Sequence, residues 1–449
     1  MSRALVFGLG IAGTAVARAL AGRGIEPVLV DDRPSPTHDA LAAELGASLV
    51  IAPDLGLLAD IVKSVDFVMP APGVPELHPL FAISNDLDRE VLSEIELAYR
   101  WEAERKGGAR PMIGITGTDG KTTTTLMATA MIRESGGRAL AVGNTETPLI
   151  AALDEPVDAF VVECSSFRLA LTSRFRVEAG VWLNIAPDHL DWHADFESYR
   201  KAKARIWSAA RPDDVAVAPA SSVAILDVAR DSKARVVTFG GNDGDYSLQN
   251  GVLFASGSEV LPAAAMRRSL PHDITNALAA AASVLETGTA SMSGVVSALE
   301  TFAPSHHRIE FVASQKGISW YDDSKATSPH AASTALRAFT SIVLIAGGRN
   351  KGLDLGQLVE AGGAVKAVVG IGESGPEIAG HFASRCPAVT VPSMAEAVER
   401  AAGFASEGDV VLLSPACTSF DWYRNYEERG RDFVRCVREH LGLSIGGDQ

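Results

Sequence analysis

The residues best suited to chemistry lie in the glycine-rich segment 114–125, GITGTDGKTTTT, which follows an apolar run and precedes a helix-like segment. A turn of this kind aims backbone N–H groups and the Lys121 ammonium at a phosphate chain, and the Thr122 hydroxyl can ligate the accompanying Mg2+. The spacing departs from the usual phosphate loop, because Ile115 stands five residues before Gly120. An ordinary strand-to-helix turn is the alternative, but Gly-Lys-Thr directly after a strand favours a nucleoside triphosphate. The segment alone does not define the reaction.

Polar residues also follow two apolar, strand-like runs downstream of this loop. Glu163 ends the run 160–162, where a carboxylate commonly completes a Mg2+ shell, although a surface or capping glutamate would look the same. A denser group surrounds the end of the run 181–185 and comprises Asn184, Asp188, His189, Asp191 and His193. One such histidine is usually structural, but the clustering favours a functional role. In the helix-like segment that follows, the residues alone predict Lys201 and Lys203 as solvated lysines.

The N-terminal region carries a second glycine-rich turn, in the segment 8–13. The turn follows a short apolar run and precedes a helix-like segment and a second strand that ends at Asp31 and Asp32. This order is typical of a dinucleotide-binding βαβ unit with an acid near the ribose, so an NAD-dependent oxidoreductase is one hypothesis. The same turn also suits the pyrophosphate of a UDP-sugar, because a helix N-terminus binds any such anion. The turn therefore predicts a pyrophosphate without defining the nucleotide.

Length and composition define the class of protein. A chain of 449 residues exceeds one ordinary core, and we predict an α/β protein of three domains at 1–105, 106–303 and 304–449. No apolar run approaches the roughly 20 residues of a membrane span, and glycines interrupt the apolar segment after Arg3 that resembles a signal peptide. The formal charge of −15 argues against a nucleic-acid partner. Four scattered cysteines suit reduced thiols in a cytoplasm.

Strand–helix alternation resumes after residue 304 and predicts a second open, doubly wound sheet. Polar residues follow the predicted strands at 322–327, 347–352 and 414–421, and such strand ends form the binding edge of an open sheet. Lysine and hydroxyl side chains converging there predict an anionic small molecule. The run 424–430 predicts only a solvated helix start. We expect a Rossmann-like N-terminal domain, a central domain of the P-loop ATPase type, and a Rossmann-like C-terminal domain.

Several sequence blocks together resemble the Mur ligase family, over essentially the whole chain. They are GTDGKTTT at 117–124, ECSSF at 163–167, Asn184 with DHLD at 188–191, HRIE at 307–310, DSKAT at 323–327, LSPACTSFD at 413–421 and NYEERG at 425–430. The last two blocks are similar to the D-glutamate-adding branch of the family.

This resemblance implies a cytoplasmic, ATP-dependent ligase of peptidoglycan precursor synthesis, and hence a role in cell-wall growth, cell shape and cell division. The implied reaction joins D-glutamate to UDP-N-acetylmuramoyl-L-alanine through an acyl-phosphate intermediate, in a chain that works as a monomer. ATP and two Mg2+ ions are implied, and Lys203 is implied to carry a CO2-derived carbamate, which turns a cation into an oxygen ligand for Mg2+. A noncatalytic nucleotide-binding regulator is a further alternative.

The resemblance also implies roles for individual residues. The implied catalytic residues are Lys121, His189 and Lys203, and the implied metal ligands are Thr122, Glu163, His189 and Lys203. The implied ATP-binding residues are Gly117, Thr118, Asp119, Gly120, Lys121, Thr122, Thr123, Asn276, Arg308 and Asp323. The implied residues for the UDP-substrate are Gly10, Ile11, Ala12, Asp32, Arg33, Pro72, Gly73 and Asn144. The implied D-glutamate-binding residues are Thr327, Lys351, Ser419, Phe420 and Tyr426.

The chain departs from the usual family pattern at several positions. Ala71 stands where a serine is common, Asp273 and Ser328 where an asparagine is usual, and Arg168 where a glutamine is usual. The segment 145–147, Thr-Glu-Thr, also differs from the usual Ile-Gly-Leu or similar.

Overall fold

The computed structural model describes residues 2–190, 192–303 and 305–443. Asp191, part of one of the blocks above, lies outside the described residues. The chain forms two compact units: the first comprises Met1–Ser269 with Asp273–Phe302, and the second comprises Leu270–His272 with Ala303–Gln449. Both units combine sheets with helices, so the predicted α/β class is confirmed. Within the ranges given, every helix is too short or too polar to cross a membrane.

The first sheet lies at the start of the first unit and has the parallel strand order β3-β2-β1-β4-β5. Its elements are β1 (Arg3–Phe7), α1 (Ile11–Gly22), β2 (Glu26–Asp31), α2 (Pro36–Leu45), β3 (Leu49–Ile51), α3 (Leu55–Lys63), β4 (Phe67–Pro70), α4 (Pro79–Asp86), β5 (Glu90–Val91) and α5 (Glu94–Ala103). The inner strands are apolar on both faces, as a helix-covered parallel sheet requires. Phe7 pairs with Val30 on one side and Pro70 on the other, so the loops after β1, β2 and β4 meet at one edge.

The second sheet belongs to the same unit and has the order β14-β13-β12-β11-β10-β9-β6-β8-β7. Its elements are β6 (Met112–Thr116), α6 (Lys121–Glu134), β7 (Ala139–Gly143), β8 (Ala159–Glu163), α7 (Ser166–Ala170), β9 (Ala179–Trp182), α8 (Phe196–Ala204), β10 (Val215–Pro219), α9 (Val223–Asp231), β11 (Arg235–Phe239), β12 (Tyr246–Gln249), β13 (Val252–Ala255), β14 (Ser258–Pro262), α10 (Pro271–Glu286) and α11 (Met292–Thr301). Short 3-10 helices cover Leu149–Ala152, Arg205–Trp207 and Ala263–Ala265. Pairing is antiparallel only within β12–β14 among the strands named here. Ile115 pairs with Glu163 and Val181, so the loop after β6 begins between the ends of β8 and β9.

The third sheet forms the core of the second unit, with the order β15-β16-β20-β17-β18-β19. Its elements are β15 (Glu310–Gln315), β16 (Ile318–Asp322), α12 (Pro329–Leu336), β17 (Ile342–Gly347), α13 (Gln357–Ala361), β18 (Val365–Ile371), α14 (Gly375–Phe382), β19 (Ala388–Thr390), α15 (Met394–Phe404), β20 (Val410–Leu413) and α16 (Tyr426–His440). β15 pairs antiparallel with β16, and the other pairs are parallel. Leu413 pairs with Asp322 and Ile345, so the loops after β16, β17 and β20 are neighbours.

Small side chains allow helices to approach these sheets closely. The segment 277–282 of α10 is nearly all alanine and fully buried against the central sheet. In α1, a Cβ on Gly13 would lie 1.9 Å from the Gly8 carbonyl oxygen, so this position accepts only glycine. The helix therefore starts directly against the end of β1, as expected for a pyrophosphate-binding turn.

Candidate active site

The phosphate loop runs from the buried strand β6 to the start of α6 at Lys121. Gly120 has φ +82° and stands so close to Asn276 that an added Cβ would lie 2.6 Å from its Oδ1. The loop backbone is held from a second strand end: Asn184 Oδ1 accepts the N–H groups of Thr118 (2.9 Å) and Asp119 (3.0 Å). The predicted phosphate-binding residues Gly117–Thr123 and Asn276 thus lie together.

Two lysine side chains converge on one carbonyl group of this loop. Lys121 Nζ and Lys203 Nζ donate to the Gly117 oxygen over 2.9 and 2.7 Å, so the two nitrogens lie within the sum of these lengths, 5.6 Å, of each other. Lys121 also donates to the Thr118 oxygen over 2.7 Å. Two ammonium groups so close, away from water, repel each other, and one of them is stabilised by losing its proton.

Lys203 is the lysine that loses its proton most readily. Burial, and next the positive charge of Lys121, lower the pKa of Lys203 well below its ordinary value, against the opposing carboxylates of Asp188 and Asp119. Lys203 is 1% exposed, whereas the Lys201 side chain on the same helix is 70% exposed. The residue-based prediction of a solvated lysine was therefore correct for Lys201 and wrong for Lys203. The Tyr199 ring, one turn earlier on the same helix, lies 4.5 Å from its Nζ, and the Gly117 oxygen from the phosphate loop accepts its hydrogen bond.

The carboxylate of Glu163 lies at the end of β8 and is 2% exposed. Its Oε1 accepts from Asn144 Nδ2 over 2.9 Å, while its Oε2 is buried and has no hydrogen-bond partner among the described residues. A buried carboxylate oxygen without a partner is costly, and a cation is the group that would offset this cost. Together with the hydroxyl of Thr122 at the second position of α6, it offers the oxygen ligands that Mg2+ prefers. The residues present therefore fit Mg2+.

His189 belongs to the crowded strand end after β9. It has φ +54°, which is uncommon outside glycine, and its Nε2 lies 3.4 Å from Asp188 Oδ2. The His189 ring packs edge-on against Phe167, with centroids 4.7 Å apart, and lies 6.5 Å from the Tyr199 ring that also contacts Lys203. The structure thus places His189 and Lys203 near the same tyrosine ring. Sequence reasoning predicted this grouping only through the family resemblance.

A pocket of about 370 Å3 opens where the loops after β1, β2 and β4 meet. Six of the residues predicted to bind the UDP-substrate line it: Gly10, Ile11, Ala12, Asp32, Pro72 and Gly73. Arg33 and Asn144 are not among its lining residues. His78 also lines the pocket and was missed by sequence reasoning; its position before Pro79, at the start of a helix, is the only signal in the sequence.

Asp31, the acid that motivated the NAD hypothesis, is engaged by backbone groups. Its Oδ2 accepts the Leu9 N–H over 2.7 Å and its Oδ1 accepts the Arg33 N–H over 3.0 Å. These bonds brace the glycine-rich turn against the second strand. Asp31 therefore has a structural task that requires no ribose.

The loops predicted to bind D-glutamate lie at one edge of the third sheet. Thr327, Lys351 and Ser419 follow β16, β17 and β20, and Tyr426 begins α16. The loops after β17 and β20 are joined by reciprocal backbone bonds between Arg349 and Thr418 of 2.9 and 3.0 Å. Ser419 is buried, whereas Phe420 is 61% exposed.

Arg429 holds two of these loops together. It is 1% exposed and donates to the Ser324 hydroxyl (2.9 Å), the Ser324 oxygen (2.7 Å) and the Cys417 oxygen (3.1 Å). Burial lowers the pKa of Arg429 to about 10. The sequence-based prediction of a solvated helix start at 424–430 was wrong for this residue, because its guanidinium replaces water as the partner of three buried acceptors.

Asp323, a predicted ATP-binding residue, is buried at the end of β16. Its Oδ2 accepts from the Ser414 hydroxyl over 2.7 Å and its Oδ1 from the Ile309 N–H over 3.2 Å. Burial raises the pKa of Asp323 to about 7, against the opposing effects of the Ser414 hydrogen bond and the charge of Arg308. Arg308 is thus close enough to act on Asp323, and the two predicted residues share one region of the second unit.

Comparisons with known proteins agree with this geometry. Family models for the Mur ligase middle domain and for the Mur ligase glutamate ligase domain match residues 115–284 and 307–417. A UDP-N-acetylmuramoylalanine--D-glutamate ligase from Frankia casuarinae is 40% identical over 98% of this chain and 94% of its own length. The chain belongs to the Mur ligase family. This Mur ligase is also 36% identical to the enzyme of the same name from Thermobifida fusca, over 98% of this chain and 99% of that one.

Solved structures of Mur ligases share the fold of this family member. MurF ligase from Thermotoga maritima, solved in complex with ADP, matches 97% of each chain with a TM-score of 0.62 and 15% identity. MurC from Thermotoga maritima matches 98% of this chain and 100% of that one with a TM-score of 0.59 and 20% identity. The predicted arrangement of a Rossmann-like sheet, a phosphate-loop sheet and a second open sheet is therefore confirmed as a Mur ligase fold.

Proposed function

We propose that this chain is an ATP-dependent ligase that joins D-glutamate to UDP-N-acetylmuramoyl-L-alanine in peptidoglycan precursor synthesis. The observation that carries this proposal is the 40% identity, over 98% of the chain, to an enzyme named for that reaction, in a protein whose phosphate loop and buried carboxylate suit ATP and Mg2+. The substrates are small molecules, and the reaction takes place in the cytoplasm, where ATP is available. The enzyme acts as a monomer and takes no nucleic acid.

The chemistry requires activation, because a carboxylate is a poor acyl donor. A carboxylate oxygen of UDP-N-acetylmuramoyl-L-alanine attacks the γ-phosphorus of ATP, the bond to the β-phosphate breaks, and ADP leaves. The D-glutamate amine then attacks the acyl carbon, a C–N bond forms, and the C–O bond to phosphate breaks. The amine proton leaves with this step, and the products are an amide, ADP and inorganic phosphate.

The loop Gly117–Thr123 binds the β- and γ-phosphates, with Lys121 supplying positive charge and α6 its N-terminal amides. Thr122 and Glu163 would hold one Mg2+, and His189 with Lys203 in its carbamate form would hold a second. When bound, the two ions neutralise the negative charge that builds up on the phosphoryl oxygens. Asn276, Arg308 and Asp323 complete ATP binding.

We propose that Lys203 reacts with CO2 to form a carbamate. The support is the position of its amine, which is buried, next to Lys121, and has a pKa lowered well below the ordinary value. Only a neutral amine attacks CO2: an N–C bond forms, one proton leaves, and the product carries a carboxylate-like oxygen pair. Such an anion is compatible with two neighbouring cations, Lys121 and Mg2+, where an ammonium is not.

The remaining roles follow the architecture. The pocket lined by Gly10, Ile11 and Pro72 receives the UDP moiety, and Asn144 serves the substrate from the central sheet. D-glutamate is held by Thr327, Lys351, Ser419, Phe420 and Tyr426, and the hydroxyl groups and the Lys351 ammonium among them meet its two carboxylates. We assign these tasks to three domains, at 1–105, 106–303 and 304–449.

ADP release measured by a coupled assay tests the proposed function. With ATP and Mg2+ present, release should require both UDP-N-acetylmuramoyl-L-alanine and D-glutamate. Turnover with either substrate omitted would contradict the proposal, and turnover with another amino acid in place of D-glutamate would identify a different acceptor. NADH fluorescence titration tests the oxidoreductase alternative, which requires saturable binding.

A further inference from the structure

A hydrogen-bonded chain of four side chains ends at the proposed metal ligand Glu163. Arg168 Nη1 donates to Asn144 Oδ1 over 2.6 Å, and Asn144 Nδ2 donates to Glu163 Oε1 over 2.9 Å. Arg168 is 6% exposed and lies in the short helix α7 directly after the strand that carries Glu163. The Asn144 amide is therefore held between a cation and an anion, although the residue itself is exposed.

The chemistry of these groups fixes the orientation of the Asn144 amide. A guanidinium has donors only, so the atom facing Arg168 must be the amide oxygen. The amide nitrogen then faces Glu163, where a carboxylate accepts it. The carboxylate rotates little, since one of its oxygens is held by this bond, and the other oxygen, Oε2, remains without a partner among the residues described.

Arg168 is positioned in turn by Glu94, in the first turn of α5. Arg168 Nε lies 3.4 Å from Glu94 Oε2, and Glu94 Oε1 accepts the Ile150 N–H over 2.7 Å. Glu94 is 3% exposed, so both charges are buried. The chain of contacts therefore runs from a helix beside the N-terminal sheet to the edge of the phosphate-binding sheet, all inside the first compact unit.

We infer that Arg168 is a positioning residue that, through Asn144, directs one Glu163 oxygen toward Mg2+. This inference rests on the proposed role of Glu163 as a metal ligand. Arg168 stands where the family usually has glutamine, and a glutamine amide both donates and accepts, so it would leave the Asn144 amide free to turn over. Metal affinity in this chain thus depends on a charged side chain that touches neither metal nor nucleotide. Partners behind a metal ligand typically change metal affinity about 10–100-fold when removed.

Calorimetry of the intact chain tests the inference by comparing AMPPNP binding with and without Mg2+. In Arg168→Met we expect at least about 10-fold weaker Mg2+-dependent binding, and Mg2+-free binding unchanged. Arg168→Gln, which should fold as other family members do, is expected to lose several-fold. The matched control is Arg176→Met, which removes a partly buried arginine paired with Asp214 and should lower the melting temperature without changing Mg2+-dependent binding. Arg176 and Asp214 precede β9 and β10, whereas Glu163 ends β8, so this pair lies at the opposite ends of the parallel strands.

The behaviour of the Arg168 and Glu163 variants decides between the possibilities. If Arg168→Gln binds Mg2+ and AMPPNP as tightly as the wild type, Arg168 does not position Glu163. If Arg168→Met unfolds, the Arg168→Gln result alone decides. Glu163→Gln separates this inference from the proposed function. If Mg2+-dependent binding is unchanged in Glu163→Gln, Glu163 is not a metal ligand. If Mg2+-dependent binding weakens in Glu163→Gln but not in the Arg168 variants, only the positioning role of Arg168 is overturned.

Discussion

The protonation state of Lys203 can be tested by replacing it with methionine, which keeps the length of the side chain and removes the amine. The measurement is made without Mg2+ and in CO2-free buffer, so that neither metal nor carbamate contributes. Lys201→Met is the control, since Lys201 lies on the same helix with its side chain 70% exposed. Both variants lose one lysine, but only one of them loses a buried amine.

The sign of the effect follows from the direction of the pKa shift. The pKa of Lys203 is lowered in the folded protein by burial and by Lys121, so between this lowered pKa and 10.5 the unfolded chain binds a proton that the folded chain does not. The free energy of unfolding of the wild type therefore rises with pH between the lowered pKa and 10.5, by up to about 1.4 kcal/mol per pH unit. Lys203→Met lacks this slope. Loss of the hydrogen bond to Gly117 adds a pH-independent cost of about 1 kcal/mol.

Thermal unfolding between pH 7 and 10 measures this difference. For a domain of about 200 residues, 1 kcal/mol corresponds to about 2–4 °C, so the melting temperature of the wild type should gain about 3–6 °C per pH unit over Lys203→Met in the titrating interval. Lys201→Met should follow the wild type. Parallel curves for the wild type and Lys203→Met would show that Lys203 stays charged in the fold, and a charged amine cannot attack CO2.

Three further changes probe other parts of the protein. Gly120→Ala should weaken ATP binding at least about 10-fold in a calorimetric titration, because the added Cβ would collide with Asn276 and the backbone would be strained by about 1–2 kcal/mol. Gly136→Ala is the control: Gly136 has φ +88° and open space around it, so this variant carries the strain alone and should bind ATP normally. The pKa of Asp323 is raised to about 7, so between about pH 4 and pH 7 the folded state holds a proton that the unfolded state releases. The free energy of unfolding of the wild type should therefore fall as pH rises through this interval, by up to about 1.4 kcal/mol per pH unit, and Asp323→Asn should lack this fall. Identical pH profiles of the two melting temperatures would contradict this. Arg429→Met should lower the free energy of unfolding in urea by about 2–4 kcal/mol and raise the KM for D-glutamate, because three buried acceptors lose their donor. Arg431 is exposed, so Arg431→Met should change neither quantity. Equal behaviour of the two variants would show that Arg429 does not hold the loops.

The order of strands and helices could be predicted from the sequence because it depends on local patterns. Apolar runs followed by glycine-rich turns predicted β1, β6 and β17, and each is a buried strand that pairs in parallel with both of its neighbours. The Ala-rich segment after Pro271 predicted a helix and forms α10. The ends of these elements carry the predicted ligand-binding loops, since chain polarity alone places them at one edge of each sheet.

Burial of individual polar side chains was harder to predict, because it depends on contacts between distant elements. Lys201 and Lys203 look alike in composition, yet residues two apart on a helix point about 200° away from each other, so both could not face water equally. Tyr199, Ala202 and Ile206 form the buried face of this segment, and Lys203 falls on it. The spacing of Lys203 from these residues could therefore have indicated from the sequence that Lys203 is buried. The role of Arg429 left no such signal, since its acceptors Ser324 and Cys417 come from two other loops.

The acid that accompanies the glycine-rich N-terminal turn is a second case in which the sequence did not predict the contacts of a side chain. Asp31 stands at the sequence position of a ribose-binding carboxylate, but the hydrogen bonds to Leu9 and Arg33 use both of its oxygens. For Asn144, substrate binding stays a prediction, and the structure adds a contact that the sequence did not indicate: its amide lies between Arg168 and Glu163. Motif position identifies which loop is functional, whereas the partner of each side chain is decided by the assembled structure.

Isotope transfer tests the central proposal, carboxylate activation by ATP, most directly. UDP-N-acetylmuramoyl-L-alanine labelled with 18O in its terminal carboxylate is turned over with ATP, Mg2+ and D-glutamate, and the released phosphate is analysed by mass spectrometry. An acyl-phosphate route leaves the attacking carboxylate oxygen on phosphorus, so each phosphate should carry one oxygen from the fully labelled carboxylate. Phosphate without label would contradict the proposed reaction.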